Sequence, residues 1–197
     1  MDEIWTRLET FLQLNAPQIY AGLAPGATEA EIAETEARTG FPFPADVRQS
    51  YLRHNGQRPP GPQDLNMGAG GEFIPCYFGL LSIPAVADEW QDNIDTIEDI
   101  KDDMPGGEGA DFGVKAVFLD PAWVPFAKDI GGNQICLDFD PAPGGSVGQI
   151  VEFNHEAEGQ RCLAPSFRVW LEMIVSDLET GRLVWNAELQ GYEYLEE

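Results

Sequence analysis

The sequence "WVPFAKDIGGNQICLDFDPAPGGSVGQIVEF", residues 123–153, places three apolar segments around two glycine clusters. Gly131, Gly132 and Asn133 all tolerate the positive φ that tight turns between antiparallel strands require. The longer segment PAPGGSVG can join the next two strands as a wider turn. The stretch therefore predicts three antiparallel strands: Trp123–Ala127, Gln134–Asp138 and Gln149–Phe153.

Interpreting the two glycine clusters as phosphate-binding or calcium-binding loops agrees less well with the sequence around them. A P-loop needs a lysine after its last glycine and a helix after that, whereas both clusters lack the lysine and precede strands. The dinucleotide-binding motif fails on the same ground. In a calcium loop starting at Asp138, Pro141 and Pro143 interrupt the ligand pattern, and Gln149 stands where a glutamate is needed. Asp138 and Asp140 are then expected to lie on one polar face of a strand.

Three helices are predicted before the strands. Apolar residues at helical spacing indicate a first helix over residues 3–14. Thr28 and Glu31 can form a capping box at the start of a second helix, which Gly40 ends. Pro44 suits the first turn of a third helix. The residues of this helix that should face the core are Val47, Tyr51 and Leu52.

The third helix is predicted to end at residues 54–56, HNG, with His54 in a C-capping role. Residues 57–72 are rich in proline and glycine and predict a loop, and residues 73–83 predict one or two buried strands. A fourth helix follows from Pro84. Its apolar side carries Val86, Trp90, Ile94 and Ile97.

A long last helix is predicted between Ser166, its N-cap, and Gly181, its end. Its core-facing residues are Phe167, Trp170, Leu171, Ile174 and Leu178. Helices first, an antiparallel sheet in the middle and a helix packed on it last define the α+β class. We therefore predict a single domain over residues 1–197, in which a central antiparallel sheet is flanked by N-terminal helices and a long C-terminal helix.

Charge excludes several kinds of partner. The chain has 11 Lys and Arg against 34 Asp and Glu, a formal net charge of −23. Nucleic acid and anionic membranes are poor partners for such a protein, because binding them normally requires cations. The N-terminus is acidic and unlike a secretion signal, and no run approaches the length of a membrane helix. We expect a cytoplasmic protein whose charge serves either solubility or a basic partner.

The cysteines and histidines predict no metal site and no cofactor. Cys76, Cys136 and Cys162 are widely spaced and odd in number, and no C-x-x-C motif occurs. His54 and His155 stand alone, so the spacing of zinc ligands is absent. We expect buried, reduced thiols.

The acidic stretch at residues 88–111 has a pattern that could serve binding. It contains ten acids and one base, Lys101. Aspartates at steps of three and four residues lie on one helix face, where like charges slightly destabilise the helix. The face is either simply solvated or a docking surface for a cationic protein. The predicted partner-binding residues are Asp88, Asp92, Asp95, Asp99, Asp102 and Asp103.

The order of several short motifs resembles the SUKH superfamily, the Smi/Knr-like relatives of cell-wall assembly regulators. The resemblance covers roughly residues 25–180, and each motif is weak singly. Phe43 stands where a leucine is common. The matching positions are Glu36, Gly40, Pro44, Leu52, Asn55, Gly56, Trp123, Pro125, Phe126, Ala127, Asp129, Gly131, Gly132, Asp138, Gly148 and Gln149.

The resemblance implies a single α+β domain without established catalytic residues. Bacterial members of the superfamily are largely immunity proteins that neutralise toxins, many of them nucleases, whereas fungal members are regulatory scaffolds of wall synthesis and signalling. The compact size of the chain and its lack of disordered tails favour the bacterial branch.

Three functions follow as hypotheses. The leading one is a non-enzymatic immunity protein that occludes a cognate toxin, with its acids steering it to a basic, nuclease-type partner. The alternative is a regulatory scaffold that binds cellular proteins. The third is a carboxylate-dependent hydrolase, although no spacing singles out a catalytic pair, no G-x-S-x-G occurs and no cysteine has an adjacent histidine.

Overall fold

A five-stranded antiparallel sheet forms the centre of the fold. The computed structural model describes residues 1–58, 78–101, 109–157, 159–186 and 191–195. Strands in the sheet lie in the order β1-β2-β3-β4-β5, and β6 pairs with β7 in a separate hairpin. The α+β class is therefore confirmed.

The elements are α1 (Asp2–Asn15), α2 (Pro17–Gly22), α3 (Glu29–Thr39), α4 (Ala45–Arg53), β1 (Gly79–Leu80), α5 (Ile83–Ile100), β2 (Trp123–Lys128), β3 (Gln134–Asp138), β4 (Gln149–Phe153), β5 (Arg161–Ala164), α6 (Phe167–Thr180), β6 (Leu183–Asn186) and β7 (Gly191–Tyr194).

The glycine clusters turn the chain, as predicted. Asp129 N–H donates to the Asn133 carbonyl at 3.0 Å, and the Asp129 carboxylate accepts from the Asn133 N–H and side-chain amide. Gly132, at φ +94°, lets this β2–β3 turn close. The wider β3–β4 turn contains Gly144 and Gly148, both at positive φ.

Predicted helix boundaries are also confirmed. Thr28 and Glu31 form the capping box of α3, and Gly40 ends that helix in the left-handed conformation. Ser166 caps α6 through the Val169 N–H, and Gly181 ends it at φ +73°. These signals are local, so the sequence carries them without knowledge of the tertiary fold.

Side chains along each strand alternate between the two faces of the sheet, so two separate hydrophobic cores lie on opposite faces. Ile135 and Leu137 of β3 point into the larger one, whereas Cys136 between them points into the smaller one. The larger one, called here the main core, also contains residues of α1, α4 and α6. Within it Phe126 makes edge contacts with the rings of Phe167 and Trp170.

The smaller cluster, called here the second core, lies under the segment at residues 110–119. Cys136 and Trp123 are fully buried in it. The Trp123 indole nitrogen has no hydrogen-bond partner there. The buried members of the second core are Val114, Leu119, Trp123, Cys136, Val151 and Phe153.

Three residues differ from expectation. Leu52 points outward and is 39% exposed, because the inward stripe of α4 runs through Val47 and Tyr51. His54 occupies the C-cap position of α4, but its ring binds Glu9 and the Ala24 carbonyl rather than the carbonyls of that helix. Asp138 is completely buried and does not lie on an ordinary polar face.

Several elements lie outside the predictions. The short helix α2 and the strands β5, β6 and β7 carry weak periodicity and were not expected. The predicted loop at residues 57–72 falls outside the described residues from position 59 onward. Of the strands predicted at residues 73–83, the described part contains β1 and an isolated bridge at Phe78. In the parts of the chain that are described, no helix is long and apolar enough to cross a bilayer.

Candidate functional site

Four of the predicted partner-binding residues lie together on α5. Asp88, Asp92, Asp95 and Asp99 are all exposed and follow one another at steps of three and four residues. These four residues are called here the acidic face. The side of α5 that packs inward carries Ile83, Val86, Ala87 and Asn93, roughly opposite the aspartates. Asp102 and Asp103 lie outside the described residues.

Polar contacts fasten the inward side of α5 to the sheet. Asn93 and Gln134 of β3 exchange two side-chain hydrogen bonds, of 2.8 and 3.0 Å. Glu89 pairs with Lys128 at 2.6 Å and accepts from the Gln134 amide. The Trp90 indole N–H donates to the Pro121 carbonyl at 2.9 Å. These contacts hold the helix so that the acidic face is presented in one orientation.

The start of α5 is fixed by the N-terminal helices. The Ile83 N–H donates to the Asn55 side-chain oxygen at 2.7 Å, and the Thr35 hydroxyl donates to the Ile83 carbonyl. Asn55 therefore supplies the cap that Ser82, at the N-cap position, does not supply through its own side chain. The position of the acidic face thus depends on contacts with α3 and with the segment after α4.

The acidic face is only partly neutralised. Asp88 pairs with Arg38 of α3 at 2.7 Å, and Asp95 accepts from the Gln91 amide. Within the described chain no cation pairs with Asp92 or Asp99. Because α5 also ends without a basic residue in its last turn, the field of the face stays negative along its length.

Asp138 belongs to a buried polar network that the sequence did not reveal. Its carboxylate accepts from the Gln149 amide at 2.9 Å and from the Asp140 N–H at 3.0 Å. The same Gln149 amide donates to the Gly113 carbonyl. Burial raises the pKa of Asp138, although both hydrogen bonds oppose that shift. The network ties the β3–β4 turn to the segment that covers the second core, which is a structural role.

A second charged cluster joins α1 to α4. The Glu9 carboxylate accepts hydrogen bonds from the Nε and Nη2 groups of Arg53, both at 2.7 Å, and contacts His54 Nε2 at 2.8 Å. Hydrogen bonding from Arg53 lowers the pKa of Glu9. The His54 ring also packs against Trp5, with ring centroids 4.8 Å apart and the ring planes tilted by 56°. His54 is therefore held in place by structural contacts.

Neither a cluster of metal ligands nor an activated thiol is found among the described residues. They contain no group of three or more His, Cys, Asp or Glu side chains that could hold a metal ion. Burial raises the pKa of both described thiols, Cys136 and Cys162, which disfavours the nucleophilic thiolate. Cys76 lies outside the described residues.

An open cleft of about 600 Å³ lies beside α2 and includes His54 and Arg58. None of its described lining residues is a carboxylate. Arg58 there donates to the Ala21 carbonyl, and His54 is bound as described above. A glycosidase-type pair of carboxylates is therefore not found in this cleft.

Residues that carry the family resemblance mostly do structural work. Glu36 accepts from the Phe43 N–H and from Arg48, both at 2.7 Å, and so closes the connection between α3 and α4. Gly56, at φ +67°, lies so close to the Leu81 carbonyl that any Cβ would collide with it. Asp129 closes the β2–β3 turn. At these three positions the motif residues therefore stabilise turns and connections of the fold.

The fold and the acidic face define a class: a helix-flanked antiparallel α+β domain with a negatively charged face on one of its helices. Within that class, the sequence profile described as "SMI1 / KNR4 family (SUKH-1)" matches residues 26–173. The chain belongs to this family, and the resemblance seen in its motifs is confirmed.

Individual relatives are proteins of fungi. The "Cell wall biosynthesis/cell cycle regulator smi1" of Schizosaccharomyces pombe is 27% identical over all of this chain and 42% of its own length. The "Glucan synthesis regulatory protein" of Neurospora crassa is 24% identical over 90% of this chain and 38% of its own. The "Cell wall assembly regulator SMI1" of Saccharomyces cerevisiae is 24% identical over 90% of this chain and 40% of its own length. The chain thus spans about two fifths of the length of these relatives.

Proposed function

We propose that this chain is a non-enzymatic regulatory domain that binds basic protein partners through the acidic face of α5, in the control of cell-wall assembly. The names of its relatives support the regulatory part, since they describe regulators of wall and glucan synthesis.

One observation carries the choice of surface. All four described aspartates of the acidic face point away from the core, on a helix whose other side is fastened by hydrogen bonds to β2 and β3. A rigid helix with one sign of charge can steer a cationic partner during diffusion and select its orientation. Solubility alone does not require the charge to be gathered on one anchored face.

Toxin neutralisation, the leading hypothesis from the sequence, receives less support than regulation. It would use the same electrostatics, because a nuclease toxin also presents a basic surface. The relatives named above are regulators rather than immunity proteins. We therefore place the regulatory function first, and a toxin partner is one outcome of the experiment below.

Affinity capture from a fungal extract tests the proposal with a matched pair of variants. The acidic-face variant replaces Asp92, Asp95 and Asp99 by Asn. The control variant replaces three exposed glutamates on other elements, Glu3, Glu156 and Glu193, by Gln, which removes the same charge. We expect the wild type and the control to retain the same wall-synthesis or signalling proteins, and the acidic-face variant to lose them.

Association rates then give a second readout with a purified partner. We expect the acidic-face variant to associate roughly tenfold more slowly at low salt, and the difference to shrink as salt rises, since charges are screened beyond about 8 Å at physiological ionic strength. Equal rates for both variants would refute the assignment of this surface. Capture of a toxin in place of regulatory proteins would refute the regulatory function and restore the immunity hypothesis.

A further inference from the structure

The cleft beside α2 is lined by no carboxylate among the residues that the structure describes, although the protein has 34 Asp and Glu against 11 Lys and Arg. Its volume of about 600 Å³ lies within the range of sites for small molecules. Four of its described lining residues are apolar, and the other three are Tyr20, His54 and Arg58. Mostly apolar walls with a few polar groups are typical of a ligand-binding site.

Backbone hydrogen bonds build one wall of this cleft. The segment after α2 pairs in antiparallel fashion with the segment after α4. In that pairing the Arg58 N–H donates to the Gly22 carbonyl at 2.8 Å. The Gln57 N–H donates in turn to the Leu80 carbonyl of β1 at 3.0 Å. The wall is therefore attached to the central sheet, and it does not depend on the side chains that line the cleft.

The guanidinium of Arg58 lies in the cleft without an acidic partner. Its Nη2 group donates to the carbonyl of Ala21, which also lines the cleft. Of the 11 Lys and Arg side chains, eight form ion pairs with Asp or Glu. Arg58 is not one of them in the described part of the chain. Its other N–H groups are therefore open to a ligand.

The carbonyl groups of the cleft wall already have donors. Ala21 accepts from Arg58, and the Ala24 carbonyl lies 3.0 Å from Nδ1 of His54. The Pro25 carbonyl accepts from a backbone N–H at 3.1 Å. Because these acceptors are in use and most of the guanidinium is not, the cleft favours a ligand that supplies acceptors.

A carboxylate fits this guanidinium better than a phosphate does. The planar fork of arginine pairs with both oxygens of a carboxylate. A phosphate monoester can form the same bonds, but its charge of about −1.5 to −2 is repelled more strongly by a protein of net charge −23. Glu9, which contacts His54, opposes an anion less than an unpaired carboxylate would, because Arg53 donates two hydrogen bonds to it.

We propose that this cleft binds a carboxylate that carries an apolar group. Arg58 pairs with the carboxylate, while the apolar walls and the ring of Tyr20, which is 36% exposed, contact the rest of the ligand. Such a carboxylate belongs either to a small organic acid or to the end of a peptide whose last residue is apolar. The inference goes beyond the proposed function, because the cleft is formed by α2 and the segment after α4 and takes the opposite charge from the acidic face.

NMR titration tests the preference with two matched pairs of probes. The small acid is 3-phenylpropionate, compared with 3-phenylpropionamide. The peptide is an acetylated tripeptide that ends in phenylalanine, with a free or an amidated C-terminus. At equal ionic strength, we expect both acids to shift the backbone amide signals of Leu23 and Ala24 in a saturable way. The uncharged amides should bind roughly tenfold more weakly, because they lose the charged hydrogen bonds.

Variants of two arginines assign the effect to the cleft. Arg58→Gln should bind both acids roughly tenfold more weakly than the wild type, and Arg58→Lys, which keeps the charge without the fork, should lie between them. The control Arg168→Gln removes the same charge from an exposed position on α6 and should bind like the wild type. Because both arginines are exposed, none of these variants should lower the melting temperature appreciably.

Several outcomes would overturn the site. It is refuted if neither acid shifts the Leu23 and Ala24 signals, or if acids and amides bind equally well. It is also refuted if Arg58→Gln binds the acids like the wild type, or if Arg168→Gln loses them to the same extent. If one of the two acids binds and the other does not, the site stands and the acid that binds identifies its source. The acidic face is unchanged in every variant, so failure of this site leaves the proposed function standing.

Discussion

The main core and the second core lie on opposite faces of one sheet, but different interactions hold them together. The main core is lined by aliphatic and aromatic side chains of α1, α4 and α6. The face of the second core also carries buried polar groups, among them Gln134, Asp138 and Gln149. The face of the main core is stabilised by the apolar area that it buries. The face of the second core also depends on hydrogen bonds, because each buried polar group needs a partner.

This difference bears on where the residues proposed for binding a basic partner lie. The helices over the main core bury their apolar stripes and are packed on the sheet. The second face is covered by the later part of α5, through Asn93 and Ile97, and by a segment without regular structure, whereas Ile83 and Val86 at the start of α5 belong to the main core. The residues proposed for binding a basic partner therefore lie on the cover of the hydrogen-bonded face, while the apolar face serves as the foundation.

Truncation of Phe126 should give the largest loss of stability. Phe126→Ala removes a ring that is 1% exposed and packed edge-on against Phe167 and Trp170. We expect the free energy of unfolding to fall by about 3–5 kcal/mol, measured by urea denaturation.

The same substitution at Phe153 is the matched control in the second core. Phe153 is 5% exposed and packs edge-on against Phe118. Its cover is a loop that can collapse into the space left behind, so Phe153→Ala should cost less than Phe126→Ala. An equal or larger loss at Phe153 would contradict the view that the main core is the foundation.

Removal of the Asp138 carboxyl group should have an intermediate effect. Asp138→Ala leaves the Asp140 N–H without its acceptor and the Gln149 amide with Gly113 alone. We expect a loss of about 1–3 kcal/mol in urea denaturation, the usual cost of an unsatisfied buried group. Asp138→Asn keeps an acceptor oxygen and should recover part of the loss.

Asp140→Ala serves as the control for that experiment. Asp140 forms an ion pair with Lys115, but its side chain is 70% exposed, so its removal should cost less than about 1 kcal/mol. A larger loss at Asp140 than at Asp138 would show that the exposed ion pair, rather than the buried network, ties down the turn.

The sequence predicted the parts of the fold whose causes are local. Strands β2, β3 and β4, the capping box of α3 and the ends of α6 follow from alternation, capping and glycine. The spacing of the aspartates likewise predicted that they share a helix face, and the structure shows that face exposed at its four described positions.

Features that depend on distant partners were not predictable. Asp138 alternates along β3 like a surface residue, and only the segment around Gly113, which has no periodic pattern, buries it. His54 contacts Glu9, which lies 45 residues earlier in the chain. Phe112 follows a glycine-rich stretch, and its exposure depends on the backbone of Gly144. In each case the deciding neighbour is set by tertiary structure.

The smallest expected effect is a difference in how two carboxylates respond to pH, one on each side of the sheet. Glu9, on the side of the main core, has a pKa lowered from 4.5 mainly by the hydrogen bond from Arg53. Its stabilisation is present above pH 4.5 and is lost as pH falls through the lower folded-state value. Asp138 has a pKa raised from 3.8 mainly by burial, with Asp120 adding to the rise and Lys115 opposing it.

Asp138 contributes a pH dependence of stability with the opposite sign. Between pH 3.8 and its raised value, the native state holds the proton more tightly than the unfolded chain does, so stability falls as pH rises through that window. Relative to the wild type, Asp138→Asn should therefore gain stability as pH rises, whereas Glu9→Gln should lose it. The free energies of unfolding of all three proteins are measured by urea denaturation from about pH 3 to pH 7, a range that includes the titrations of Glu9 and Asp138. Contributions from the other carboxylates largely cancel when the value for the wild type is subtracted from that of each variant. The stabilities of Asp138→Asn and Glu9→Gln relative to the wild type could instead change in the same direction with pH. In that case the carboxylate of Asp138 is not held at a desolvated site, and the two faces do not differ in their electrostatics.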